Sequence, residues 1–201
     1  IPTPHCYRCP YGMARESCAL VCVARMEEEV KRHREELAAF IVEPLVQGAA
    51  GMLMMPEGYL ARLRDVTREC EVLLICDEVA TGFGRTGTMF ACEHERVAPD
   101  IMAVAKGLTG GYLPLAATLT TKEVYDAFLG RYEEFKAFFH GHSYTANPLG
   151  CAAALATHAI FETQGVLSHV AFLSGIMAEE LAKLEGRFCI GDIRQNGLMV
   201  G

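Results

Sequence analysis

An α/β architecture, with a mostly parallel sheet under helices on both faces, is the fold class this sequence predicts. Two observations predict it. Runs of uninterrupted apolar residues, each closed by a charged residue, recur at 38–42, 72–76 and 101–105. Strands that read apolar throughout are those buried on both faces, the condition of a parallel sheet. Between these runs lie longer segments whose apolar residues recur at helical spacing.

Taken in order, residues 1–18 are rich in Pro, Cys, Tyr and Gly and predict an irregular segment. Val23, Met26, Val30 and Leu37, with charges between them, predict an amphipathic helix over 19–37. The run at 38–42 predicts a buried strand, punctuated by Glu43-Pro44. A loop with Gly48 and Gly51 follows, then a helix over 57–70 carrying Leu60, Leu63 and Val66. The run at 72–76 is the next strand, with Asp77-Glu78 at its C-terminal end and a glycine-rich loop at 81–87. The strand at 101–105 ends in Lys106-Gly107, and 115–119 predicts a fourth strand. Thr120-x-x-Glu123 has the form of a capping box opening a helix to about residue 129. Asn147-Pro148 reads as an N-cap with proline at the first helical position, starting an Ala-rich helix to about residue 162. A last helix is expected over 166–184, and the section 165–201 as the start of a second, smaller domain.

Composition narrows the function. The net charge of -7 leaves little support for a nucleic-acid partner, which calls for a basic face. The one basic cluster, Lys31-Arg32-His33-Arg34, is flanked by glutamates and predicts a solvated helix face with i,i+4 pairs. No apolar run is long enough to cross a bilayer, so no membrane association is expected. No secretory signal is visible, although residue 1 is Ile and not Met. Nine cysteines, an odd number set mostly in apolar stretches, suit a reducing cytoplasm better than a disulfide framework. Cys6-x-x-Cys9 followed by Cys18 and Cys22 resembles a four-thiolate metal pattern. The second pair is spaced by three residues and opens a helix, so the four are read as free thiols and no metal is assigned.

Ligands of open parallel sheets bind beyond the C-terminal ends of the strands. Here three strands end in Glu43, Asp77 and Lys106. Alone, a strand-end Asp is often a turn cap and a strand-end Lys is often solvated. Together, and with Gly107-Leu108-Thr109-Gly110-Gly111 after the lysine, they make a candidate cofactor site, because the glycines let backbone approach a planar ring or a phosphate. A lysine amine can condense with an aldehyde, and a carboxylate can hold a proton on a pyridine nitrogen.

Cys76-Asp77-Glu78-Val79-Ala80-Thr81-Gly82-Phe83-Gly84-Arg85-Thr86-Gly87 and Ala105-Lys106-Gly107-Leu108-Thr109-Gly110-Gly111-Tyr112-Leu113-Pro114 resemble, in order and separation, two signature segments of the class III (ω-type) aminotransferases. The resemblance implies the type I fold of pyridoxal 5'-phosphate (PLP) enzymes, with residues 19–164 as the central part of the large domain. It implies Lys106 as the Schiff-base lysine, Asp77 as the partner of the pyridine nitrogen, and Val79 packed on the ring. It implies that His142 and Ser143 reach the cofactor phosphate of a neighbouring subunit and that Gly141 contacts substrate. Glu43 and Arg85 match active-site positions, and their opposite charges lead one to expect an ion pair near the substrate.

Glu43-Pro44-Leu45-Val46-Gln47-Gly48 and His140-Gly141-His142-Ser143-Tyr144-Thr145-Ala146-Asn147-Pro148 look most like the branch that converts 8-amino-7-oxononanoate to 7,8-diaminononanoate in biotin biosynthesis. That branch implies small-molecule partners, an amino donor (S-adenosylmethionine, or lysine in some relatives) and a keto acceptor, and a homodimer with shared active sites. Family members are longer and carry a phosphate loop upstream and a substrate arginine downstream, so the present chain is expected to be inactive by itself. The rivals are another class III enzyme, taking an ω-amino acid or taurine with pyruvate, and a non-catalytic fragment of one or a metal-stapled interaction module built on the cysteines.

Overall fold

The computed structural model describes residues 1–14 and 17–201; residues 15 and 16, inside the segment expected to be irregular, lie outside the described residues. Residues 1–14 form turns and extended chain without a regular element. The first helix, α1 (Val21–Arg32), is shorter than its apolar spacing predicts, and the chain turns at His33 before β1 (Ala39–Val42). The loop around Gly48 and Gly51 is a small antiparallel hairpin, β2 (Val46–Gln47) and β3 (Leu53–Met54). Next come α2 (Tyr59–Glu69), β4 (Leu73–Asp77), β5 (Ile101–Val104) and β6 (Ala117–Thr120). The chain continues through α3 (Lys122–Asp126), α4 (Pro148–Thr163) and α5 (Val166–Ala182). It ends in the hairpin of β7 (Gln195–Asn196) and β8 (Met199–Val200).

The main sheet has the order β1-β4-β5-β6. β1, β4 and β5 run parallel, with Val42 opposite Cys76 and Asp77 opposite Ala103. β6 runs antiparallel to β5, so the fold is α/β with a mostly parallel sheet. One sheet face packs on α1 and α2. Met26, Val30, Leu60, Leu63, Val66 and Leu74 are completely buried there, with Val42 and Cys76 in the same cluster. Strand alternation turns Ile41, Leu73 and Asp77 to the other face, where Ile41 is 64% exposed. Burial pushes the Cys76 thiol up to about 12, helped by the nearby Glu78 charge, so it stays protonated at neutral pH.

One cap differs from the expected one, and another is built from a distant side chain. The cap of α3 is Thr121, whose hydroxyl accepts from the Val124 N–H at 3.4 Å, and not Thr120, which still pairs with Ile101 in the sheet. At α2 the N-cap is Gly58, which has no side chain to cap with. The Glu95 carboxylate replaces it, accepting from Gly58 N–H at 2.8 Å and Ala61 N–H at 2.7 Å. Asn147 caps α4 as expected, accepting from Gly150 N–H at 2.8 Å. The basic cluster on α1 is consumed locally: Arg32 meets Glu28 at 2.8 Å and Glu29 at 2.6 Å, and Lys31 reaches Glu69 on α2 at 3.0 Å. Among the described residues no single helix is long and apolar enough to cross a membrane; α4 and α5, bent 72° from each other, expose Leu155 and Phe172.

Asp100 ties four elements together. Its carboxylate takes a two-pronged contact from Arg64 on α2 (2.5 and 2.9 Å) and accepts the Leu74 N–H of β4 at 2.7 Å. Its own N–H donates to Leu74 O, and its carbonyl accepts from Thr121. Burial alone raises its pKa, but the Arg64 guanidinium and the Leu74 amide outweigh burial and hold the carboxyl below its ordinary range. A depressed folded pKa means that this contribution is complete above the unfolded value, about 4, and is lost as the pH falls through the folded one. Arg64→Ala strands the partly buried carboxylate and should cost about 3 kcal/mol at pH 7. Asp100→Asn should narrow its stability gap to the parent chain as the pH drops from 7 to 3. Urea midpoints across that range check both, and a gap that widened on acidification would contradict the assignment.

Candidate active site

Three loops meet beyond the C-terminal edge of the parallel strands. The first follows β1. There the Glu43 carboxylate folds back to accept the Gly48 N–H at 2.9 Å, and a Cβ built on Gly48 lies 3.6 Å from Ala80 Cβ. The second follows β4. Asp77 Oδ1 accepts the Val79 N–H at 3.0 Å, an Asx-type turn that fixes one carboxylate oxygen. Glu78, fully buried, accepts from the Thr81 hydroxyl at 2.5 Å, Ala91 N–H at 3.0 Å and Cys92 N–H at 2.8 Å. Those contacts close the 78–92 loop on itself, with every charge-bearing oxygen satisfied from inside. The third follows β5. The backbone leaves the sheet at Ala105 and enters the left-handed region at Lys106, with φ 42°.

The register places Asp77 and Lys106 on one edge. Asp77 is level with Ala103, and Glu78 N–H donates to Ala103 O at 2.9 Å, so Lys106 begins three residues beyond Asp77 on the adjacent strand. A tight contact brings the two loops together. A Cβ added to Gly107 would lie 2.6 Å from Phe83 Cβ, so only glycine lets the lysine turn sit against the loop after Asp77. Phe83 is braced by Phe90 and Phe161, with ring centres 5.7 and 6.3 Å away. Thr109 Oγ1 donates to Leu113 O at 2.6 Å and holds the glycine-rich turn. A Cβ on Gly111 would meet nothing within 4 Å, so that side of the turn is open.

The expected ion pair between Glu43 and Arg85 does not form. Glu43 is engaged by the Gly48 amide, and Arg85 Nη1 donates to Ala80 O at 3.1 Å, so each side chain braces a loop backbone on either side of the Gly48–Ala80 contact. The C-terminal hairpin locks the Arg85 backbone: Leu198 N–H donates to Arg85 O at 2.8 Å, and Gly197 lies directly on Arg85 and Thr86. Gly141, His142 and Ser143 make no hydrogen bond with Lys106 or Asp77 among the described residues. They sit in an exposed stretch where His142 N–H donates to Thr145 Oγ1 and Tyr144 N–H to His142 Nδ1. Two residues that shape the site, Glu78 and Phe83, carry no role in the sequence reading. A charged residue beside Asp77 gives no local sign that it is buried. A lone aromatic between two glycines is the one signal that could have pointed to Phe83.

The sequence profile described as Aminotransferase class-III matches residues 2–201. The adenosylmethionine-8-amino-7-oxononanoate aminotransferase of Nitratidesulfovibrio vulgaris is 52% identical over 200 residues, covering 100% of this chain and 37% of the relative. The crystal structure of the Methanocaldococcus jannaschii protein of the same name superposes with a TM-score of 0.87 at 46% identity. That match covers 89% of this chain and 42% of that one. An (S)-enantioselective omega-transaminase from Thermomicrobium roseum gives 0.88 at 38% identity, covering 98% and 44%. The chain spans between 37% and 44% of the length of such curated relatives. With a profile match along almost its whole length, and with Asp77 and Lys106 on adjoining strand ends, the chain belongs to the class III aminotransferases.

Proposed function

We propose that this chain is the cofactor-holding core of a PLP-dependent enzyme that aminates 8-amino-7-oxononanoate to 7,8-diaminononanoate in biotin biosynthesis. The observation that carries the cofactor assignment is the shared strand edge: a primary amine on one strand end and a carboxylate on its neighbour. Among the described residues Lys106 makes no ion pair, so its amine is available, and the glycine turn after it leaves room for a flat group. When bound, PLP supplies an electron sink for the carbon that carries the amino group.

The chain's own groups then have separate tasks. Lys106 would hold the cofactor covalently, and its amine, when free, would carry protons to and from the substrate carbon. Asp77, one of whose oxygens accepts the Val79 N–H, would keep the pyridine nitrogen protonated. Val79 would line the ring's site. His142 and Ser143 serve the phosphate of a second copy, which fits their position on an exposed stretch, and Gly141 lies beside them toward substrate. Glu43 and Arg85 border the substrate side. The unit is a homodimer in the cytoplasm, a location that suits nine free cysteines, and residues 165–201 begin the small domain.

Another class III activity, on an ω-amino acid or taurine with pyruvate, is the second reading, favoured by the equally good superposition on an omega-transaminase. Backbone likeness does not separate the two, because both share this fold. Sequence supports the biotin branch: identity to its relatives reaches 56%, against 38% for that omega-transaminase. S-adenosylmethionine, which the relatives' name contains, is the donor in this reading, and lysine is the alternative. A panel of donors and acceptors on the full-length protein decides: turnover of 8-amino-7-oxononanoate is expected, and turnover of pyruvate alone would refute the biotin assignment.

A further inference from the structure

The β7–β8 hairpin is seated at its base and gripped separately at its tip. At the base, Met199 is buried with Leu45, Val46 and Ala91, and Arg194 donates to Gly51 O at 3.1 Å and to Met52 O at 3.2 Å. At the tip, Gln195 Nε2 donates to Ser174 O on α5 and to Gly197 O, each at 2.9 Å. Both partners are carbonyls, so only the amide nitrogen of Gln195 can face them. The Ser174 hydroxyl accepts from the same nitrogen at 3.1 Å and donates to Gly197 O at 2.9 Å. The Gly197 carbonyl thus takes two donors, which set where the turn at 196–198 lies against α5.

That turn bears on the arginine loop. A Cβ on Gly197 would lie 2.6 Å from Arg85 O, and Leu198 N–H donates to the same oxygen at 2.8 Å. A Cβ on Gly84 would meet Leu167 Cδ2, also on α5, at 3.1 Å. The helix therefore touches the 84–86 backbone directly at one end and through the turn at the other. With its backbone fixed in this way and Nη1 donating to Ala80 O at 3.1 Å, the Arg85 side chain is anchored at both ends. We propose, on the reading of Arg85 as a substrate-side residue, that Gln195 and Ser174 are positioning residues for substrate binding, which hold the 196–198 turn on Arg85 and so set the place of its guanidinium. Neither makes a hydrogen bond to Lys106 or Asp77 among the described residues, so their loss acts on binding and leaves the cofactor in place. The base of the hairpin keeps its own contacts, so the fold survives the change at the tip.

The test uses the full-length enzyme loaded with PLP. Gln195→Met keeps the reach of the side chain and loses the donor; Ser174→Ala loses the hydroxyl, and Ser174→Thr restores it. Gln195→Met and Ser174→Ala are each expected to raise the KM of a substrate about five- to tenfold, the effect of one lost hydrogen bond. Changes in kcat and in cofactor fixed by borohydride should stay within about twofold, and Ser174→Thr should bring KM back to within about twofold of the parent. An unmoved KM, or kcat and cofactor loading that fall together, would overturn the proposal. In an Arg85→Ala background, Gln195→Met should add nothing to KM; an additive rise would show that the turn does not act through Arg85 and would overturn it too. Amide exchange at Leu198 and over 84–87 should be faster in Gln195→Met whichever substrates the enzyme takes. If pyruvate is turned over in place of 8-amino-7-oxononanoate, the biotin reading fails and the KM comparison is made on the substrates accepted, while unchanged exchange would still sink the role of Gln195.

Discussion

Lys106→Ala is expected to lower amino transfer by the full-length protein at least about four orders of magnitude, because it removes the covalent anchor and the proton carrier together. The loss should fall on kcat, with substrate binding largely kept, since the side chain acts on the reacting carbon. Two readouts separate this from misfolding. Borohydride should fix PLP on the parent chain, seen as added mass on the peptide containing Lys106, and should add nothing to the variant. The thermal midpoint should hardly move, because Lys106 is exposed and makes no ion pair among the described residues. Cofactor trapped on another lysine, or activity within tenfold of the parent, would sink the assignment of Lys106.

Gly107→Ala should have the second largest effect, and it never touches the reacting atoms. The added methyl would lie 2.6 Å from Phe83 Cβ and 3.0 Å from its ring. Phe83 has little freedom to retreat: its backbone is at φ 59°, its N–H donates to Met89 O at 2.7 Å, and its ring is backed by Phe90 and Phe161. The strain of about 1–3 kcal/mol is relieved by moving the lysine turn. A displacement of about 1 Å there costs on the order of a hundredfold in kcat. Gly111→Ala is the control: its methyl enters open space, so it carries only the backbone penalty of a positive φ. Adding Phe83→Gly, which removes the Cβ that the new methyl meets and suits the positive φ of that position, to Gly107→Ala should recover a measurable part of the activity. If the double variant is no better than the single one, the clash is not the cause.

Much of this arrangement was legible in the residues because the signals were long or chemically specific. Leu60, Leu63 and Val66 announce α2, and the unbroken apolar run 72–76 announces β4, although only Leu74 and Cys76 are buried in it and Leu73 on the other face is exposed. Asp77 and Lys106 stood out because ionisable residues directly follow apolar runs. The direction of β6 was not legible: a run such as 115–119 has the same pattern whichever way it pairs. The two small hairpins have strands of two residues each, too short to show any period. The cap at α3 slipped by one position because Thr120 and Thr121 are chemically equal, and the sheet claimed the first of them. The Glu43–Arg85 pair failed for a related reason: opposite charges in a motif say nothing about nearer backbone groups that compete for them.

The left-handed backbone at Lys106 sets evolution against itself at one position. A side chain with a Cβ costs about 1–2 kcal/mol in that conformation, and glycine escapes the cost. Lys106→Gly should therefore melt higher than the parent chain while doing no chemistry. Fold stability and the proposed use of the amine thus pull in opposite directions at this one residue, and a Lys106→Gly chain that melted no higher than the parent would contradict that reading.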